Sequence, residues 1–343
     1  MIKPYCLKPG DTVGVVAPSD AVDKVGVEHS AQILKKWGLK VVYGKYVFAK
    51  VGDFMAGTAE ERQEDLRTMI ADNQIKAIWA ASGGYAATEV LPVFNKETIT
   101  QLQTHPKWFI GYSDVCLILN VLTSFKLVSI MGPGLWGLSE WDVQSQEILR
   151  KMLFGEAVSG IGSSNKWKAA ISGIGEGYLV ASNLEGLIFS FGTRFDPFMY
   201  GGNQDIILAL EELDIDKSTL QRQIDIVLSH KRSKRIKGVV VGRLTNIKEF
   251  SYPEWGKKVT PQGLVTQRVK KLGVPLAFLE DFGHAEWDYG RLAEIKKHFA
   301  NRRFISLPNG VKVRLTVKDG ETGLEYLEEI CQPSPESLTP LKV

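Results

Sequence analysis

The run Gly111-Tyr112-Ser113-Asp114 follows the apolar stretch Trp108 to Tyr112 and precedes Val115 to Thr123, which is patterned as an apolar helix. A serine on a tight strand-to-helix turn is lifted clear of the sheet edge. Its own amide and the next one then lie at a helix N-terminus, where they can stabilise an oxyanion. The chemistry on offer is acyl transfer to a hydroxyl. The plainer use of such a serine is as a helix N-cap. The glycine-serine-glycine form of the elbow is also incomplete, because Val115 stands where the second glycine would be.

A serine nucleophile needs a base, and the base needs an acid to orient it. The chain has five histidines. His29 and His298 fall in amphipathic helical patterns with charged neighbours, and His105 precedes Pro106 in a polar loop. His230 leads the basic run Lys231-Arg232-Ser233-Lys234-Arg235. These four read as surface histidines, and the basic run lacks the interleaved aromatics of a nucleic-acid site. His284 differs, because it follows Gly283 just past the apolar run Leu276 to Leu279. Open α/β sheets place their ligands at such strand ends. Glu211-Glu212 closes another apolar run, Ile206 to Leu210, and has the same address. Strand alternation sends the two glutamates to opposite faces, so pattern alone leaves open which is the acid. Ala81-Ser82-Gly83-Gly84-Tyr85-Ala86 is a further candidate loop. Its glycines let a backbone amide approach a ligand closely. The spacing Gly-x-Gly-x-x-Gly of a dinucleotide site is absent.

These residues must be positioned by a scaffold. Runs at Thr12 to Ala17, Lys40 to Tyr43, Lys76 to Ala81, Trp108 to Tyr112 and Val128 to Met131 read as strands. They alternate with helical patterns, one of which opens on the capping box Thr58 to Glu61. That alternation predicts a parallel sheet in an N-terminal α/β domain, residues 1–158. The Gly- and Ser-rich segment 159–177 reads as a linker. Residues 178–332 read as a second α/β domain, with a mixed sheet, carrying Glu211 and His284. An acidic helix is expected after the strand Val311 to Val317, and residues 333–343 form a tail. The site therefore falls at the interface of two domains.

Composition narrows the partners. A net charge of +3 with 24% charged residues gives no electrostatic reason for binding nucleic acid or an anionic membrane. No apolar stretch of about 18 residues and no secretory leader pattern is visible, so the expectation is a cytoplasmic protein. Cys6, Cys116 and Cys331 are odd in number and far apart. They read as unlinked thiols rather than a disulfide framework or a metal site.

Taken in order, these blocks resemble the LD-carboxypeptidase family of serine peptidases, which includes murein tetrapeptide carboxypeptidases and microcin C immunity peptidases. The similarity runs through nearly the whole chain. It is carried by Leu7 to Val13 with Val16-Ala17-Pro18-Ser19, then Ala56-Gly57-Thr58 with Glu61-Arg62, and Ala77-Ile78-Trp79 with Gly83-Gly84-Tyr85. Ile110 to Asp114, Asn183-Leu184 with Gly192-Thr193, Leu210-Glu211-Glu212, Gly238 to Arg243 and Phe282-Gly283-His284 complete it. The resemblance implies that Ser113 is the nucleophile, His284 the general base and Glu211 the acid. It places the amides of Gly84 and Asp114 in the oxyanion hole. Ser82, Tyr85, Asn183 and Trp167 are candidate substrate contacts. The implied reaction is hydrolysis of the amide between an L-centre and a C-terminal D-residue, as in release of D-alanine from a murein tetrapeptide. No metal or organic cofactor is implied. The implied partners are a small muropeptide and a second copy of the chain.

Two departures bear on the substrate. Murein-type members usually carry an arginine before the Gly-Gly pair, where this chain has Ser82, and Ala86-Ala87 stands where a further glycine is common. The missing arginine leans toward the microcin-type branch, which cleaves peptidyl-nucleotide toxins. Trp167 is the one aromatic in the linker that could stack on a nucleobase; its plainer reading is a loop anchor. Leu307-Pro308-Asn309-Gly310 also lies further past the histidine than the family pattern has it. Residues 286–302 thus look inserted, with Leu292, Ile295 and Phe299 spaced for a short amphipathic helix.

Overall fold

Short runs of β-branched and apolar residues separated by amphipathic stretches build the first half of the chain. In order they form β1 (Thr12–Val16), α1 (Lys24–Lys36), β2 (Lys40–Tyr43), α2 (Ala59–Ala71), β3 (Ile75–Ala80), α3 (Lys96–Thr104), β4 (Trp108–Gly111), α4 (Cys116–Ser124), β5 (Ser129–Met131) and α5 (Val143–Phe154). The structure is a computed structural model, and it describes residues 1–200, 202–250, 259–285 and 303–333. The inserted segment 286–302 lies outside the described residues, as does most of the tail. The first five strands pair in parallel in the order β5-β4-β3-β1-β2. β3 and β4 are buried at almost every position, as a parallel sheet covered on both faces requires. α2 begins at the capping box that its spacing foretold, with Thr58 and Glu61 bonded reciprocally.

The second half forms β6 (Gly160–Ile161), β7 (Trp167–Ile171), β8 (Gly173–Asn183), α6 (Leu184–Ser190), α7 (Pro197–Tyr200), β9 (Ile206–Leu213), α8 (Lys217–Ser229), β10 (Ile236–Thr245), α9 (Pro261–Val269), β11 (Leu276–Leu279), β12 (Leu307–Asn309), β13 (Lys312–Val317) and β14 (Gly323–Tyr326). The second sheet has the order β6-β14-β13-β8-β9-β10-β11-β7. Its centre, β8 to β11, is parallel. The flanking strands run antiparallel. The expected α/β architecture, one mostly parallel sheet and one mixed sheet, is what forms.

Three expectations need correcting. The segment 159–177 is sheet rather than open connection. It supplies β7 at one edge, β6 at the other, and the start of β8. Gly160, Gly175 and Gly177 serve close approach: a side chain at Gly175 would place Cβ 2.0 Å from the Lys237 carbonyl oxygen. Composition registers glycine as flexibility and cannot see that crowding. The acidic helix after β13 is instead the hairpin strand β14. Leu324 and Tyr326 are buried with period two, and Gly320 turns the chain at φ +74°. Finally, Cys6 and Cys331 are joined in a disulfide across 325 residues, leaving Cys116 free and buried. Sequence distance hid this pairing, because residues 331–332 run back alongside residues 5–6, with Cys6 N donating to Gln332 O at 2.9 Å.

The two sheets share one apolar core. On β9, Ile207 and Ala209 join the core of the first sheet, while Ile206, Leu208 and Leu210 face the opposite core. β12 crosses over to pair antiparallel with β5. Its buried Asn309 donates to the Ala181 carbonyl of β8 at 3.0 Å. α4 packs against α6, where Asn120 Nδ2 reaches Ser182 Oγ and Gly186 O, each at 3.2 Å.

Candidate active site

Ser113 stands at the junction of β4 and α4 with φ +61°. A non-glycine residue adopts this left-handed conformation at a cost of about 1 kcal/mol or more. It is held there by the single 3-10 turn Ser113–Val115 and by Val115 N donating to Tyr112 O at 3.2 Å. Val115 fills the space that a side chain at Gly111 would need, 2.3 Å from that absent Cβ. The elbow is thus built without a second glycine.

The Ser82-to-Ala87 loop passes directly over the serine. A Cβ on Gly83 would lie 2.7 Å from Ser113 Cβ and 3.1 Å from its Oγ. Gly84, at φ +142°, is closed in by Asp20, 2.0 Å from where its Cβ would be. Side chains hold the loop in place. Tyr85 N donates to Asp20 Oδ1 at 3.0 Å, Ala86 N to Ser19 Oγ at 3.0 Å and Ala87 N to Asp114 Oδ2 at 2.8 Å. Ser19 Oγ in turn donates to Asp114 Oδ2 at 2.6 Å. The Asp114 carboxylate therefore clamps the glycine loop to the elbow, while its backbone opens α4. Burial raises the carboxyls of both Asp20 and Asp114.

His284 follows β11, and its Nδ1 lies 2.6 Å from Glu211 Oε2. The same oxygen accepts the His284 backbone N–H at 3.1 Å. Glu211 is fully buried. With the carboxylate accepting, Nδ1 carries the proton and Nε2 offers its lone pair. The alternation of β9 decides which glutamate does this, because position 211 continues the set Ile207, Ala209 that faces the first sheet. Arg243 Nη1 donates to Gly283 O at 2.8 Å, and Thr245 Oγ1 donates to His284 O. Both fix the histidine loop. The Tyr112 ring lies 4.3 Å from the imidazole, centroid to centroid, tilted by 34°. That contact brings the serine elbow of the first sheet against the histidine of the second. Among the described residues no hydrogen bond joins Ser113 Oγ to His284, whose ring bonds to Glu211.

The other candidates fall around this centre. Ser82 is half-buried beside Gly134, whose absent Cβ would lie 3.1 Å from Ser82 Cα. Tyr85 is 76% exposed and meets Phe54 edge-on at 6.3 Å. Asn183 caps α6, accepting from Gly186 N at 3.2 Å, and donates to Glu212 at 3.1 Å. Trp167 donates its indole N–H to Gly162 O at 3.1 Å, the role of a loop anchor. Tyr112, Ser19, Asp20 and Thr245 were not singled out from the sequence, although Tyr112 and Ser19 lie inside blocks that were. Among the described residues no group of three or more His, Cys, Asp or Glu is placed to hold a metal ion. No helix there is long and apolar enough to cross a membrane.

The fold is that of two-domain α/β carboxypeptidases. The structure of MccF in complex with glutamyl sulfamoyl guanosine superposes with a TM-score of 0.77 over 97% of this chain and 100% of that one, at 18% identity. A Synechocystis sp. protein with a provisional carboxypeptidase name is 28% identical over 82% of this chain and 89% of its own. The murein tetrapeptide carboxypeptidase of Pseudomonas aeruginosa is 24% identical over 83% of this chain and 92% of its own. Sequence profiles of the LD-carboxypeptidase N-terminal and C-terminal domains match residues 13–132 and 176–289. The chain belongs to the LD-carboxypeptidase family.

Proposed function

We propose that the protein is a serine-type LD-carboxypeptidase acting on murein tetrapeptides, releasing the C-terminal D-alanine in peptidoglycan recycling. The observation that carries this reading is the Glu211–His284 bond of 2.6 Å, held against the Ser113 elbow by Tyr112. Ser113 Oγ attacks the scissile carbonyl as His284 Nε2 takes its proton. Glu211 holds the imidazole in the right tautomer and stabilises its charged form. The amides of Gly84 and Asp114 receive the oxyanion. His284 then passes the proton to the departing D-alanine amine, and water repeats the sequence on the acyl-enzyme. The Ser113–His284 bond forms as substrate closes the site, since such bonds are often loose in the free enzyme. The nucleophile belongs to residues 1–158 and the acid and base to residues 178–332, so domain positioning is part of catalysis.

The reading includes a homodimer, as the family resemblance implies, which light scattering checks. It also places the protein in the cytoplasm. Disulfides are rare there, so alkylating the thiols of Cys6 and Cys331 in rapidly quenched cells tests the compartment directly. The activity test is incubation with L-Ala-γ-D-Glu-meso-diaminopimelate-D-Ala. Release of D-alanine by wild type and not by S113A supports the reading. No release from folded wild type overturns the murein substrate.

A second reading, a microcin-immunity-like peptidase, is favoured by Ser82 in place of the usual arginine. An MccF structure holds glutamyl sulfamoyl guanosine. Cleavage of aminoacyl sulfamoyl-adenosine with no release of D-alanine would select it.

A further inference from the structure

Glu212, next to the acid that orients His284, is almost fully buried and points to the other face of β9. Its carboxylate meets donors only. Oε1 accepts from Asn183 Nδ2 at 3.1 Å and from Leu213 N at 2.9 Å, and Oε2 accepts from Glu185 N at 3.0 Å. Three N–H donors on one carboxyl are best satisfied by the ionised form, whose two oxygens only accept. The charged groups facing it are Glu211 on its own strand and Glu185 on α6, both acidic. β8 contributes the neutral Asn183 and β10 pairs with it through Leu244. Burial, then Glu211, holds the carboxyl up to about 7 from an ordinary value of 4.5. The folded chain thus keeps a proton that the unfolded chain releases. The contribution of this group to stability is present below 4.5 and lost as pH rises through about 7. Ionised Glu212 therefore costs the fold stability while accepting two hydrogen bonds at the start of α6 and one from its own strand.

Those bonds lead to the nucleophile. Asn183 caps α6, and the first turn of α6 packs on the start of α4, where Asn120 Nδ2 bonds Gly186 O at 3.2 Å. A Cβ on Gly186 would lie 3.6 Å from Cys116 Cβ, three residues past Ser113. We infer that Glu212 is a positioning residue whose ionised carboxylate locks the first turn of α6 and so seats the serine helix of one domain against the histidine of the other. The inference rests on the Ser113–His284–Glu211 reading.

The test compares wild type, S113A, E212Q and E212D. In wild type, log kcat/KM should fall on the acid side with a slope of about two, one proton at the imidazole and one at Glu212. E212Q should lose about tenfold or more in kcat at pH 8 with KM little changed, and its acid slope should drop to about one. E212D, which keeps the charge, should restore the second proton. E212Q activity and slope equal to wild type, with S113A inactive, would overturn this inference and leave the triad standing. An active S113A would instead sink the triad. A readout that needs no substrate is hydrogen exchange of segment 182–190 at fixed pH. It should be faster in E212Q than in wild type and near wild type in E212D. Equal exchange in all three overturns the lock, and if E212Q does not fold, protection of this segment in wild type that does not rise between pH 6 and 8, after correction for intrinsic exchange, overturns it instead.

Discussion

Among the described residues two histidines, His230 and His284, rest on buried carboxylates, and they differ in what else holds the ring. His230 closes α8 with Nε2 3.0 Å from Asp196 Oδ2, while its Nδ1 accepts from Arg232 N at 3.1 Å. Phe191 and Phe198 box the ring at 4.7 and 5.2 Å. Asp196 is itself occupied by the amides of Gly192, Phe198 and Met199. Both ring nitrogens are committed, so the pair is a structural joint. The surface reading of His230 is corrected accordingly. His284 has the same kind of acid partner, and among the described residues its ring bonds only to Glu211, through Nδ1. It stands at a strand end beside an elbow serine rather than at a helix end among aromatics. The bond to the carboxylate is common to both pairs, so under the proposed function it is the remaining nitrogen that distinguishes them.

The contrast can be broken in order of expected effect. S113A should lower kcat for D-alanine release by about 10⁴-fold or more, with folding unchanged by circular dichroism. E211Q should leave the imidazole in the wrong tautomer and cost about 10³- to 10⁴-fold in kcat. If E211Q instead behaves as a stability mutant with full activity, the two pairs are alike and the assignment fails. Opening Cys6–Cys331 by C6S should cost about 2–5 kcal/mol in denaturant unfolding, with kcat/KM retained, since the disulfide ties the chain ends rather than the site. D196N should cost about 1–3 kcal/mol of stability and leave the kinetics as they were. A large drop in kcat for D196N at unchanged stability would give His230 a role it lacks here.

Ser113, Glu211-Glu212 and His284 could be picked out as candidates because each lies at or just past the end of an apolar run, and strand ends are where open sheets present side chains. Helix starts were legible from caps such as Thr58 with Glu61. What was misread shares one cause: it depends on which distant chain segment lies alongside. The glycines of 159–177 look like slack until Lys237 is seen crowding Gly175. Cys6 and Cys331 look unrelated until the chain ends are found side by side. His230 looks exposed until Asp196 is found beneath it.

Local patterning by itself therefore determined the α/β class, the strand and helix order in the first half, and the candidates Ser113, Glu211 or Glu212, and His284. Those follow from hydrophobic period and chain punctuation, which act over a few residues. Pattern alone left Glu211 and Glu212 open and the family resemblance named Glu211; the tertiary structure brings Glu211 to His284 through the alternation of β9 between two cores. It alone set Tyr112 on His284, Asp114 across the glycine loop and Glu212 under α6. Side-chain contacts between residues 27 or more positions apart depend on how separate elements pack, and no local pattern encodes that.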